Sequence, residues 1–169
     1  MSKEQTSDLL KFLKPFTEDI QELTLWLREF VWDLYPNANE LIYDNYNALA
    51  FGWSVTDRLG QCFCNIAVGR SSKNVHFGFY WGSKISDPEK RLIGNGNQYR
   101  YMIVTDKKKF PKTYMKKLLK EAYSNALIKV KPAAGTGKNK TKIIQGATIT
   151  KSISPVKRKA AGTTAKKKK

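Results

Sequence analysis

Residues 48–81, ALAFGWSVTDRLGQCFCNIAVGRSSKNVHFGFYW, contain three runs in which large apolar residues alternate with small or polar ones. A period of two is typical of β-strands that bury one face. Polar turn segments at 57–60 and 71–74 separate the runs. The pattern predicts three consecutive antiparallel strands. Their predicted core face consists of Leu49, Phe51, Trp53, Val55, Cys62, Cys64, Ile66, Val68, Val75, Phe77, Phe79 and Trp81.

Two amphipathic segments flank these strands. Apolar residues recur at helical spacing along 17–34 and again along 112–127, which predicts two long helices. A further strand is predicted at 99–105, and one or two helical turns at 86–92. Together these elements predict an α+β fold, with a four- to five-stranded antiparallel sheet and long helices before and after it.

The charge is unevenly distributed along the 169 residues, whose net charge is +17. Residues 131–169 contain 11 lysines, Arg158 and no acidic residue, a charge of +12 that leaves +5 for residues 1–130. Composition therefore predicts an N-terminal segment at 1–16, an α+β domain at 17–130 and a basic disordered tail at 131–169. No apolar run approaches the roughly 20 residues of a membrane span, and the N-terminus lacks a signal-peptide core, so we expect a cytoplasmic protein.

Few residues are suited to catalysis or to soft metal ligation. Cys62, Cys64 and His76 are the only cysteines and the only histidine, whereas a structural zinc site needs four ligands. The two cysteines fall on one predicted strand face, which favours burial in the core. The sequence contains no P-loop, nucleophile elbow or H-E-x-x-H motif, so it favours a protein that is not an enzyme and needs no cofactor.

The face of the sheet opposite the core is the first candidate site. It combines small residues such as Ala48, Ala50 and Gly52 with polar and aromatic ones. Such a surface suits a small ligand or a peptide, although the N-terminal segment or a second copy of the chain could equally cover it. The candidate ligand-binding residues are Asn65, His76, Tyr80 and Arg100.

Lysines form the second candidate site. Dense positive charge attracts nucleic acid or another polyanion through its phosphates, without reading sequence. A tail that only improves solubility is the alternative. The candidate contacts are Lys107, Lys108, Lys109, Lys112, Lys116, Lys117, Lys120, Lys157, Arg158 and Lys159.

The order of several motifs resembles the YdhG-like domain family over residues 20–125. The motifs are Tyr35-Pro36, Glu40-Leu41-Ile42-Tyr43, Val75-His76-Phe77-Gly78-Phe79, Gly82, Asp87-Pro88 and the Gly94/Gly96 loop before Arg100. The family is largely of unknown function, and the resemblance implies frataxin-like layering of helices on an antiparallel sheet. A bacterial member is described as a frataxin-like iron chaperone, so the resemblance also implies iron as a possible ligand. In this chain Asp44-Asn45 follows Tyr43, where many members have glycine.

These observations lead to one expected function and two alternatives. We expect a small, non-enzymatic, cytoplasmic binding module of the YdhG-like kind. The alternatives are nonspecific nucleic-acid binding through the lysines and the basic tail, and iron delivery by acidic residues of the first helix such as Glu18 and Asp19. The oligomeric state is left open by the sequence.

Overall fold

The computed structural model describes residues 9–129 and 141–145. A short helical segment at 9–13 precedes two long helices, α1 (Glu18–Leu34) and α2 (Lys112–Ile128). The strands are β1 (Asn39–Asp44), β2 (Ala48–Ser54), β3 (Cys62–Gly69), β4 (Val75–Tyr80), β5 (Tyr99–Val104) and β6 (Thr141–Gln145). Short 3-10 turns occupy Leu59–Gln61 and Gly82–Lys84. No helix in the described parts of the chain is long and apolar enough to cross a membrane.

The strands form one sheet in the order β5-β4-β3-β2-β1-β6. Strands β1 to β5 pair as antiparallel neighbours in chain order. The predicted α+β fold is therefore confirmed, with a five-stranded antiparallel sheet between one long helix before it and one after it. Short connections between alternating runs make this order the simplest one for the chain to adopt.

A sixth strand comes from the predicted tail. β6 pairs in parallel with β1, with Ile143 opposite Ile42. The expectation of disorder is thus wrong for residues 141–145, while the rest of 131–169 lies outside the described residues. The segment Thr-Lys-Ile-Ile-Gln is rich in β-branched residues, and the free edge of β1 offers unpaired backbone groups.

The core lies on one side of the sheet, where the helices cover it. Residues of the predicted core face, including Phe51, Ile66 and Phe77, are fully buried there against both long helices. Leu9, Leu13 and Phe16 belong to the same core. The packed domain therefore begins before Thr17, the residue at which the sequence places its start.

A β-bulge in β3 corrects the prediction for the cysteines. Trp53 pairs with Cys64 but the next residue, Ser54, pairs with Cys62, so β3 contains one extra residue at this point. The extra residue breaks the simple alternation of faces between Cys62 and Cys64. Cys64 belongs to the core, whereas Cys62 lies on the opposite face, beneath Tyr43.

The predicted helical turns at 86–92 are wrong, because this segment is an irregular loop. The buried carboxylate of Asp87 accepts hydrogen bonds from the backbone N–H groups of Arg91 and Leu92, at 3.0 and 3.1 Å, and from the Tyr114 hydroxyl of α2. Asp87 also has a positive φ of 38°. A side chain that binds its own loop in this way competes with helix formation.

Candidate functional site

The second face of the sheet carries no helix among the described residues. The register places Ala48, Ala50 and Gly52 of β2 on this open face, next to Asn65 and Ala67 of β3. The side chains that β4 and β5 add to it are His76, Tyr80, Tyr99, Tyr101 and Ile103. Small residues in the middle and aromatic residues at the sides make the surface concave.

A groove of about 530 Å³ occupies this surface. Its lining consists of Tyr43, Asn45, Ala48, Ala50, Leu59, Gly60, Asn65, Ala67, Tyr80, Trp81 and Gln98. Three alanines form the floor, while Tyr43 and Tyr80 form opposite walls because β1 and β4 lie on either side of β2 and β3. The volume is within the 300–1,000 Å³ typical of small-molecule sites.

Asn65 is the buried polar group of the groove. Its Oδ1 accepts a hydrogen bond of 3.0 Å from the Tyr99 hydroxyl. Gly78 makes this arrangement possible, because a Cβ at that position would overlap the Tyr99 hydroxyl and Asn65 Oδ1. Burial raises the pKa of Tyr99 to about 12 and also raises that of Tyr80. Both phenols are therefore neutral at physiological pH.

Tyr43 and Cys62 pack together on the β1 side of the groove. The Tyr43 hydroxyl lies 3.7 Å from Cys62 Sγ, and both side chains pack against Gly52. Burial raises the pKa of Cys62 to about 11, and burial also raises that of Tyr43. Cys62 is therefore a protonated, buried thiol, whereas a nucleophilic cysteine requires a thiolate.

The structure brings two of the four predicted ligand-binding residues into the groove. Asn65 and Tyr80 line it. His76 is on the same face but stacks on Tyr101, with ring centroids 4.3 Å apart, and does not line the groove. The prediction for Arg100 is wrong, because it pairs with Phe79 and so lies on the opposite face of the sheet.

Sequence analysis missed several lining residues. Trp81 continues the alternation of β4, which predicts a position in the core. Its positive φ of 57° instead turns it out of the strand, and it is 39% exposed. Its ring lies beneath Lys129 Nζ, 3.8 Å from the centroid. Leu59 and Gln98 come from connecting segments whose position the alternation does not specify. Among these residues only Tyr43 could have been found from the sequence, because it belongs to one of the motifs of the YdhG-like resemblance.

The predicted lysine surface divides into two groups. Lys107, Lys108, Lys112 and Lys117 line a second cavity, of about 660 Å³, on the helical side of the molecule. Lys109, Lys116 and Lys120 are exposed but do not line it. The remaining predicted contacts, Lys157, Arg158 and Lys159, lie outside the described residues.

The acidic residues of α1 do not converge. Among the described residues no three or more His, Cys, Asp or Glu side chains are grouped so that they could hold a metal ion. Glu22 forms an ion pair with Lys107 at 3.2 Å. No observation in this part of the chain therefore favours the iron alternative.

Comparisons with protein-family models, curated proteins and solved structures give no match.

Proposed function

We propose that this chain is a small, non-enzymatic, cytoplasmic binding module of the YdhG-like kind, and that the groove on the open face is its ligand site. The observation that carries the proposal is the groove itself, a concave volume of about 530 Å³ on a sheet face that none of the described helices covers. Two residues of the YdhG-like motifs support it. Tyr43 lines the groove, and Gly78 leaves the space that the Tyr99 hydroxyl fills.

The lining defines the class of ligand. All of its described side chains are uncharged, so a charged ligand would lose hydration without gaining an ionic partner. The alanine floor has no side-chain atoms beyond Cβ and therefore accepts a flat molecule. Tyr43, Tyr80 and Trp81 offer aromatic contacts to its edges. The ligand class is an uncharged, planar molecule with a few hydrogen-bonding groups.

The polar groups of the groove give orientation to such a ligand. Asn45 and Gln98 are exposed at its rim, where their amides can donate and accept. The neutral phenols of Tyr43 and Tyr80 add hydroxyl groups that do not ionise near pH 7. A few such groups on an apolar surface are the usual source of specificity in small-molecule sites.

A thermal-shift screen tests the proposal. Uncharged heteroaromatic compounds should raise the melting temperature of the full chain, whereas their carboxylated analogues should not. A ligand at 100 times its Kd adds about 2.7 kcal/mol of stability, which is readily measured.

The matched variants are Ala50→Leu, which fills the floor, and Ile103→Phe, which adds bulk to the same face outside the groove. The shift should disappear in Ala50→Leu and persist in Ile103→Phe. Equal stabilisation of both variants by every active compound would show that the ligand binds elsewhere. A screen in which no uncharged planar compound stabilises the chain would contradict the ligand class.

A further inference from the structure

The second cavity is a cleft between the start of α2, the loop at 105–111, the loop at 86–92 and the side of α1. Five cationic residues and one acidic residue line this cleft: Arg91, Lys107, Lys108, Lys112 and Lys117 against Glu89. The remaining lining residues include Trp26, Phe110 and Tyr114. The cleft thus combines an aromatic wall with a strong excess of positive charge.

The ion pairs leave three of these cations available. Arg91 Nε lies 2.5 Å from Glu89 Oε2, and Lys107 Nζ lies 3.2 Å from Glu22. Lys108, Lys112 and Lys117 form no ion pair with the described residues, and all three are exposed. Ammonium groups that line one cleft and form no ion pair repel one another, and a bound anion reduces that repulsion.

The start of α2 adds to the positive potential. Its first turn contains no acidic residue, and no side chain caps it. Lys112 occupies the first helical position, where the helix dipole is positive and disfavours a cation. Charge on the lysines and on the helix therefore has the same sign at one wall of the cleft.

Trp26 distinguishes this cleft from a plain lysine cluster. Its indole is half-buried and packs against Phe30 and, at nearly a right angle, against Phe110, whose centroid is 5.4 Å away. Lys112 Nζ lies 5.1 Å from the indole centroid, so a base that stacks on the ring takes the place of this ammonium group, which then pairs with a phosphate. A fixed aromatic ring beside flexible ammonium groups is the combination that binds single-stranded nucleic acid, by stacking on bases and by pairing with phosphates.

We propose that the cleft binds one short stretch of a single-stranded nucleic acid, with phosphates at Lys108, Lys112 and Lys117 and a base against Trp26. A duplex keeps its bases stacked inside and offers none to the indole. A polymer is favoured over a free nucleotide because residues 131–169 bring a further +12 to the same chain, and this charge attracts a long polyanion. The proposal concerns a site separate from the groove.

Fluorescence anisotropy of the full chain with a labelled oligouridine tests it. The test variant replaces Lys108, Lys112 and Lys117 with glutamine. The control replaces Lys109, Lys116 and Lys120, which removes the same charge from the same region but outside the cleft. The test variant should bind about tenfold to a hundredfold more weakly near 0.1 M salt, with a salt slope shallower by about 2, since each single-strand phosphate contact contributes about 0.7.

The control variant should lose much less affinity. Equal losses in the two variants would overturn the proposal in favour of general attraction to positive charge. A free nucleoside triphosphate that competes fully at equal phosphate concentration would overturn it in favour of a nucleotide site.

Substitution of Trp26 provides a second test of the proposal. Trp26→Leu should weaken oligouridine binding and leave inorganic polyphosphate binding unchanged, because only the former has bases. Trp26→Phe retains an aromatic ring for packing and should give an intermediate loss, which separates stacking from damage to the fold. If Trp26→Leu weakens the binding of oligouridine and of polyphosphate equally, a single strand is not the ligand. The same conclusion follows if replacement of the cleft lysines weakens the binding of a duplex as much as that of oligouridine.

Discussion

His76 on the open face illustrates how one side chain links packing to pH. Its ring stacks on Tyr101, and burial lowers its pKa below 6.5. The folded protein therefore binds this proton more weakly than the unfolded chain does. The contribution of His76 to the free energy of unfolding is therefore present in full above about pH 6.5. It decreases as the pH falls below that value.

His76→Phe keeps a ring against Tyr101 but cannot titrate. We expect the melting temperature of the natural chain to fall more between pH 7.5 and pH 5 than that of the variant, with the difference confined to the range below about pH 6.5. Thermal melts at a series of pH values measure it. Parallel curves for the two proteins would show that protonation of His76 does not affect folding.

Gly78 is the residue on which the polar centre of the groove depends. Gly78→Ala would place a methyl group in the space of the Tyr99 hydroxyl and the Asn65 carbonyl. We expect a loss of about 1–3 kcal/mol in the free energy of unfolding, the usual cost of overpacking, measured by urea denaturation. Gly96→Ala is the control, since a Cβ at Gly96 meets no atom within 4 Å, and it should change stability little.

The alternation of the sequence predicts the sheet face of a side chain only where the strand is regular. Asn65 and Tyr80 lie on the face that the alternation predicts, because β3 and β4 pair without interruption between them. Cys62 and Trp81 were misplaced by a bulge and by a positive φ. Arg100 was assigned to the wrong face because β5 has apolar residues on both of its faces. Its sequence therefore does not determine which face is buried, and only the pairing with β4 does.

At the scale of elements, a buried ion pair joins α1 to β1. Arg28 Nε and Nη2 donate to the two carboxylate oxygens of Glu40 at 2.6 and 2.7 Å, and both residues are buried. Amphipathic spacing did not predict this pair, because it places charged residues on the solvent side.

Arg28→Ala would leave the Glu40 carboxylate buried beside a cavity. We expect the free energy of unfolding to fall by about 3–5 kcal/mol, since breaking a buried pair costs more than the pair contributes. Replacing both residues, Arg28→Met with Glu40→Leu, should restore much of the loss. A double variant as unstable as Arg28→Ala in urea denaturation would indicate that the charges themselves hold α1 in place.

Strands β1 and β6 show which elements the sequence could not reveal. In β1 the apolar residues Leu41, Ile42 and Tyr43 are adjacent in the sequence, so β1 lacks the alternation that identifies β2, β3 and β4. β6 lies within a basic, Gly- and Thr-containing region whose composition is typical of disorder. Pairing with β1 gives it a structure that its own composition does not predict.

A chain that ends at residue 130 lacks β6 and exposes the edge of β1. We expect it to fold cooperatively, because the core of the described residues extends from Leu9 to Ala126. Its free energy of unfolding should be lower by about 1–3 kcal/mol than that of a chain ending at residue 150, since a few hydrogen bonds worth about 0.5–1.5 kcal/mol each are lost. Identical denaturation curves would show that β6 contributes nothing to stability.

At the scale of the whole molecule, the sheet separates two kinds of surface. The groove on the open face is uncharged and concave, while the cleft on the helical side is basic and aromatic. The alternating strands predicted the first surface, since they determine which face the helices cover. The cleft could not be predicted as a unit, because Arg91 and Trp26 join the lysines only through the packing of separate loops and helices.

The cleft and the basic C-terminal region can be separated by salt dependence. A chain ending at residue 150 retains β6 and loses eight cations: Lys151, Lys157, Arg158, Lys159 and the four lysines at 166–169. The full chain should bind duplex DNA and RNA with similar affinity, and on duplex DNA its salt slope should be about −0.9 per neutralised phosphate. The shortened chain should lose most of this duplex binding and have a much shallower slope.

Oligouridine binding should behave differently in the shortened chain. Its affinity should fall, because the general attraction is lost, but the difference between the Lys108/Lys112/Lys117 variant and the Lys109/Lys116/Lys120 variant should persist. Anisotropy titrations between about 50 and 200 mM salt, the range over which such contacts lose most affinity, measure both effects. If the two variants become indistinguishable once residues 151–169 are removed, the cleft has no affinity of its own and the C-terminal cations account for all binding.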